Sequence, residues 1–514
     1  MIDQLPNDIF EGQILQYLYE ADLAALAKAN KALYLRMEPI RILQKLKIPT
    51  GCQWPQLRIC LDKDHFMYSN DPSIPQLLTK LDEVRWKFER IILNGYSFQF
   101  LYKFLPQGKV YLEIGAMDDY GKLAEALLSN KATHIQFPDD RISGFQFHQL
   151  ISNLPKLTKL KSVEFGYGSL NGKNSISLME ILPHTSIEVL NVENIAIDCS
   201  SFCNVCKGLE FSKVKTLQLY KNYLPEEALI CVAETLPKTV IHDLDLDSCS
   251  FTPKSASAFA AALVDSQVKR LVLPDMGDSI IEIFKVLPQL KLENYNCYEE
   301  LSNEAEQLLI SNIAKSNLVS AGFRISIPLL KPFLEAISHS KIETLSLRTE
   351  DGDAACEIIA ENIRYLKVKG LGIERSQITD IGAKALFPAL QNSQLKELNL
   401  RANPIGKDGF QVAAKYLPKT HIVNLRLGGC HIDDESMISI AECLKETQIT
   451  HLEMQSLYST NLGIQAMLNS LGKLKFLEIS RSFSRTPAPE IDQERLKKVI
   501  LQNPHRKIRC FNFR

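Results

Sequence analysis

A Leu-x-Leu pair returns every 27 residues along much of this chain, and no other feature constrains the fold as strongly. Leu398-Asn399-Leu400 lies in the stretch LKELNLRANPIG. Leu371-Gly372-Ile373 stands one period before it, and Leu425-Arg426-Leu427 and Leu452-Glu453-Met454 follow. An earlier block has the same step, from Leu190-Asn191-Val192 through Leu217-Gln218-Leu219 and Leu244-Asp245-Leu246 to Leu271-Val272-Leu273. One strand and one helix fill such a period. The chain is therefore expected to be a stack of β-α units, each burying its apolar side against its neighbours.

The unit can be read from residues 395–418. Leu395, Leu398 and Leu400 face the core, and alternation sends Glu397, Asn399 and Arg401 to the other face of the strand. Asn403, Pro404 and Ile405 make a turn. Asp408-Gly409 opens a helical pattern carried by Phe410, Ala413, Ala414 and Leu417, and Pro418 stops it. The stretches DIGAKALFPAL, PEEALICVAETLP and DDESMISIAECL repeat this layout. Weaker copies stand at Ile91-Ile92-Leu93, Leu112-Glu113-Ile114, Ile135-Gln136-Phe137 and Val163-Glu164-Phe165. Between Leu273 and Leu345 the pattern blurs, with degenerate strands expected near 292–295 and 318–323. Leu477-Glu478-Ile479 is the last clear strand, and 493–501 reads as a closing helix. About sixteen units result.

These repeats resemble the ribonuclease-inhibitor class of leucine-rich repeats, on the strength of LKELNLRANPIGKDGFQVAAKYL and its sister units. The resemblance covers most of residues 90–510. It implies an α/β horseshoe solenoid with parallel strands lining a concave face, and it is silent on the partner.

Five residues after the first Leu of each pair comes a slot that takes Asn222, Cys249, Ser376, Asn403 and Cys430. Each of these side chains can donate a hydrogen bond to backbone where the chain turns inward. Cys249 and Cys430 are thus two of twelve cysteines with a structural reason to be there. The start MIDQLPNDIF lacks the basic and apolar regions of a secretory leader, so a reduced cytosol is the expected location. No apolar run is long enough to span a bilayer. A net charge of -1 argues against a general nucleic-acid or membrane-surface role.

Residues 1–37 do not follow the repeat. Pro6 sits at a first helical turn with Asp8 favourable to the helix dipole, and Ile9, Ile14, Leu15 and Leu18 form a short apolar stripe. Asp22 can cap a second helix carrying Leu23, Leu26 and Ala29, and Asn30 a third with Leu33 and Tyr34. Three short helices make too small a core to stand alone. They either cap the first repeat or are completed by a partner.

The order Leu5-Pro6, Ile9, Ile14-Leu15, Leu18, Leu23, Leu26 and Tyr34 resembles an F-box. The family's usual Val-Ser near Ala29-Asn30 and Trp near Tyr34 are absent. The resemblance implies docking through these residues to the Skp adaptor, and through it to a cullin, in an SCF-type ubiquitin ligase. The repeats behind it then hold a target protein. The alternative is a stand-alone repeat protein that binds or inhibits a partner with no ubiquitin link. Either arrangement fits a eukaryotic protein or an effector exported by a bacterium into a host cytosol. The expected domains are an F-box-like module at 1–37, a connector packed on the first repeat at 38–90, and the solenoid with its C-terminal cap at 91–514.

Alternation places Gln218, Tyr220, Asp243, Asp245, Asp247, Arg348, Glu397, Asn399, Arg401, Arg426, Glu453, Phe476 and Glu478 on the concave face as candidate partner contacts. The three aspartates form an acidic strand, and Arg348, Arg401 and Arg426 a basic group. Tyr220 and Phe476 are candidate anchors, since exposed aromatics are enriched among binding hot spots. No phosphate-binding loop, nucleophile elbow or HExxH motif occurs, so an enzyme is not expected, nor a metal or cofactor. Cys199, Cys203 and Cys206 in CSSFCNVC lack a fourth ligand nearby and read as one helix face turned to the core.

Overall fold

The computed structural model describes residues 58–61, 90–93, 111–114, 133–137, 148, 151–165, 172–192, 199–219, 221–222, 224–456, 460–481 and 507–511. The F-box-like segment, most of the connector and the closing helix lie outside these. The chain groups into two compact units, residues 1–283 and 284–514. Each is a leucine-rich-repeat solenoid.

In the first unit the strands Arg58–Leu61, Arg90–Leu93, Tyr111–Ile114, His134–Phe137, Ser162–Phe165, Val189–Val192, Thr216–Gln218, Asp243–Asp245 and Arg270–Val272 pair in parallel in chain order. The first of these falls within the segment expected to be a connector. In the second unit the order runs Asn294–Cys297, Ser320–Arg324, Thr344–Arg348, Gly370–Ile373, Glu397–Asn399, Asn424–Arg426, His451–Ser456, Phe476–Arg481 and Lys507–Phe511, again all parallel. The register sets Leu217, Leu244 and Leu271 side by side, and likewise Leu371, Leu398, Leu425 and Leu452. All of them are buried beneath the helices.

The blurred stretch has a packing explanation. Tyr295 and Phe323 take leucine slots, and their small register neighbours Ala321 and Cys297 make room for them. Phe323 meets Phe284, Tyr295 and Phe333 edge-on at ring separations of 6.5, 6.1 and 5.9 Å. Aromatic pairs of this geometry hold a core as well as leucines do, but they erase the Leu-x-Leu signal.

The slot after each strand behaves as its chemistry suggests. Asn403 is fully buried, and its Nδ2 donates to the carbonyls of Ile373 at 2.6 Å and Leu400 at 2.9 Å. Its Oδ1 accepts from the N–H groups of Ser376 and Ile378, both at 3.1 Å. Asn222 donates in the same way to Val192 and Leu219. Cys249 Sγ donates to the Asn222 carbonyl at 3.2 Å, and Cys430 Sγ to that of Leu400 at 3.3 Å. Burial pushes both thiols up to about 12, so they remain protonated donors.

Two further ladders are not evident from the leucine pattern. Where a helix ends, a buried hydroxyl donates to the carbonyl three residues back and accepts from the N–H two residues on. Thr185, Ser212, Thr239 and Ser266 do this in the first unit, with donated bonds of 2.8, 3.0, 2.9 and 2.9 Å. Ser316, Ser393, Thr420 and Thr447 do so in the second. Helix starts are capped across repeats. Asp380 Oδ1 accepts from Gly406 N at 2.7 Å and Gly409 N at 2.9 Å, in the next rung. Asp434 does the same for Thr460 and Gly463. A Cβ on Gly409 would come within 2.7 Å of Asp380 Oδ1, which is why that slot has no side chain.

One expectation fails in the helix Cys199–Leu209. Only Cys206 of its three cysteines is buried. Cys203 is disulfide-bonded to Cys231 of the helix Glu226–Thr235, 28 residues on. The Cys203 side chain faces the neighbouring helix rather than the strand layer, so this cysteine is not the reduced core residue that the spacing suggested.

Candidate functional site

The sheet face opposite the helices carries the side chains that the buried leucines leave outward. In the first unit the register brings Thr216, Asp243 and Arg270 into one row and Gln218, Asp245 and Val272 into the next. Asp243 accepts from Thr216 Oγ1 at 3.2 Å. Asp245 is half-buried and accepts from Asp247 N at 2.9 Å. Desolvation raises its carboxyl above the usual range. The Asp247 N–H opposes this, the Asp247 charge adds to it, and Arg270 opposes it. Asp247 Oδ1 accepts from Ser248 N at 2.9 Å, where the backbone has φ 66. Asp243 and Asp245 thus share one strand with Asp247 at its exit, and the Asp247 charge acts on Asp245. On the same face Asn191 Oδ1 is buried and has no hydrogen-bond partner. Tyr220 lies outside the described residues.

The second unit departs from the expected basic group. Arg401 reaches across an intervening strand to Glu453 at 3.1 Å, so its charge is compensated. Arg426 is exposed on the strand between them. Arg401 and Arg426 thus do not form one positive field. Asn399 was expected to point freely outward. Instead its Nδ2 donates to Glu374 and its Oδ1 accepts from Arg401 N at 3.1 Å. Glu397 is exposed, while Glu453 and Glu478 are half-buried in the row of Asn399 and Arg426. Phe476 stacks on His451 with ring centres 6.0 Å apart and planes at 22°.

Arg348 lies over the ring of Tyr298, 4.1 Å from its centre. Arg324, one strand back, pairs with Glu300 at 3.3 Å. Arg324 sits at the end of one irregular strand, and Tyr298 and Glu300 just past the end of the other, where no Leu-x-Leu pair marks the register. The strand bounds Asn294–Cys297 and Ser320–Arg324 would have exposed Arg324 by alternation, and Tyr298 and Glu300 by continuing that alternation past Cys297.

Among the described residues no group of His, Cys, Asp or Glu could hold a metal. In each unit the face is an array of polar and aromatic side chains suited to contact with another macromolecule. Residues 419–441 match the family model described as a leucine rich repeat. The chain is 24% identical to mouse (Mus musculus) ribonuclease inhibitor over 353 residues, covering 56% of this chain and 75% of that protein. Among solved structures, the Rad7–Elc1 complex of yeast aligns at 14% identity with a TM-score of 0.41, covering 86% of this chain and 93% of that one. An internalin of Listeria monocytogenes aligns at 15% identity with a TM-score of 0.36, covering 71% of this chain and 89% of that one. The repeats form a protein-interaction scaffold, and among the described residues no helix is long and apolar enough to cross a membrane.

Proposed function

We propose that this scaffold is the substrate-recognition subunit of an SCF-type ubiquitin ligase. The F-box-like residues Leu5, Pro6, Ile9, Ile14, Leu15, Leu18, Leu23, Leu26 and Tyr34 dock the Skp adaptor, and the open sheet face holds a target protein. Ubiquitin chemistry is then done by partners. The observation that carries the binding half is the outward row of ordered side chains, with Asp243, Asp245 and Asp247 on one strand and its exit. The adaptor half rests on the sequence resemblance within residues 1–37. A second reading, a stand-alone binder or inhibitor of a partner protein, is favoured by the match to ribonuclease inhibitor.

Capture of the Skp adaptor separates the two. The full chain is expected to retain it, and the double variant Leu5→Ala, Pro6→Ala to lose about 2–4 kcal/mol of binding. Equal recovery of the adaptor by both proteins, or by neither, sinks the ligase reading and leaves the binder.

A further inference from the structure

In the second unit all helices run the same way, so every loop from a helix into the next strand emerges at one edge. The backbone there is stitched rung to rung. Lys369 N donates to Glu343 O at 2.7 Å, Lys396 N to Lys369 O at 2.6 Å, Val423 N to Lys396 O at 2.7 Å, and Lys475 N to Thr450 O at 2.8 Å. In none of these loops do carboxylates outnumber cations. Lys367, Lys396, Lys419, Lys445 and Lys473 are exposed and have no carboxylate partner among the described residues. Glu343, one of the few acids at this edge, is already paired with Lys369 at 2.7 Å.

The opposite edge, where strands end and helices begin, carries Glu299, Glu304, Glu350, Asp351, Asp433 and Glu435. The net charge of -1 thus conceals a segregation of sign. Part of it serves the helix dipoles, which favour acids at their starts and bases at their ends. Lys367, Lys396 and Lys473, however, stand beyond the last helical turn, at the entry to the strands, where that effect has died away.

We propose that this lysine edge is a docking surface for an anionic lipid bilayer. Its cations come from loops of similar length on successive rungs, so they lie in a band that a flat surface engages all at once. A nucleic-acid duplex would meet such a band along one line only. The cations are lysines, with Arg364 as the exception, and compact ammonium groups suit diffuse attraction to headgroups better than bidentate phosphate recognition. Two tyrosines lie among them. Tyr365 is 58% exposed beneath Arg364, and Tyr416 lies between Lys415 and Lys419 at 5.4 and 5.3 Å. Tyrosine is favoured at the headgroup level. The acidic edge is repelled by the same surface, which fixes which edge faces it. The sheet face used for a target is a different surface, so this proposal stands apart from the ligase reading.

The test is co-sedimentation of the full chain with phosphatidylcholine vesicles with and without phosphatidylserine, at low and high salt. Binding is expected only with phosphatidylserine and is lost at high salt. Each lysine near such a surface strengthens binding roughly fivefold, so Lys367→Glu, Lys396→Glu, Lys419→Glu together should weaken it by about a hundredfold or more. A control with the same net charge, Lys254→Glu, Lys331→Glu, Lys384→Glu, should keep binding, with both variants matched to the parent in thermal unfolding. The proposal is overturned if phosphatidylserine makes no difference, or if the two variants bind alike. It is also overturned if duplex RNA competes the chain off the vesicles and the edge variant loses RNA binding instead.

Discussion

Asp353 caps a helix that it does not belong to: its Oδ1 accepts from Thr379 N and Gly382 N, both at 2.8 Å, at the start of the following helix. Asp380 passes the same service to the next rung. Asp380→Ala should therefore cost about 1–3 kcal/mol of stability, since it strands two part-buried donors of a neighbour. Asp408→Ala, which removes an exposed ion pair to Lys384, should cost much less. Chemical unfolding of the two variants checks this, and similar midpoints would contradict it.

Asn403 and Asn399 should differ in the same assay, by less than alternation alone suggests. Asn403→Leu loses donors and acceptors in a fully buried slot and is expected to cost about 2–4 kcal/mol. Asn399→Ala breaks its bonds to Glu374 and Arg401 N on a partly solvated face, for about 0.5–1.5 kcal/mol. A larger loss for Asn399→Ala would mean that the strand register is wrong.

These two asparagines show how far the sequence could be read. A period of 27 and simple alternation place every strand of the regular blocks, and they assign Asn403, Cys249 and Cys430 to the turn slot with the bonds they make. They say nothing about lateral contacts, because those depend on which side chain a neighbour offers. Glu374 captures Asn399, and Glu453 captures Arg401 from two strands away. The pairing of Cys203 with Cys231 is invisible for the same reason. The hydroxyl ladder was legible in principle, since Thr185, Ser212, Thr239 and Ser266 recur at the same 27-residue step, but small polar residues carry no hydropathy signal.

Cys231→Ser should lower the unfolding free energy of the oxidised chain by about 2–4 kcal/mol, the range for a loop of this length in the chain-entropy view. Adding a dithiol reductant to the parent should reproduce the loss and leave Cys231→Ser unchanged. A parent insensitive to reductant would show that the bridge is not formed in solution.

Asp245 gives a pH signature. Its folded-state carboxyl is raised, chiefly by desolvation, so the folded chain holds this proton to higher pH than the unfolded chain. Stability from this group is fully present below the unfolded pKa and is lost as pH rises through the folded one. Asp245→Asn should accordingly raise the melting temperature at neutral pH, with the gain fading in acid. A gain that grows on acidification would reverse the assignment.

Charge reversal at Asp245 and Asp247 should weaken target capture and leave adaptor capture intact, because the two functions are assigned to separate parts of the chain. The effect should shrink with added salt. Lys331→Glu with Lys384→Glu, on the helical face, serves as the comparison. Loss of the target in that pair alone would move the binding surface to the helices.

The caps that pass from rung to rung do not run unbroken. Lys407 occupies the position of Asp380 and Asp434, and it pairs with the Glu435 side chain in the first turn of the next helix, since an ammonium cannot accept from the backbone N–H groups there. There the helix relies on its own Asp433, which accepts from Ser436 N at 2.8 Å. Asp351 plays the same part for the helix Gly352–Asn362 through Ala354 N. In a stack held by nearest-neighbour terms, such self-sufficient rungs are coupled to their predecessors less tightly than the others. They mark the seams at which the second unit divides into cooperative blocks, so hydrogen exchange should open in segments bounded near residues 351 and 433 rather than fraying evenly from the ends.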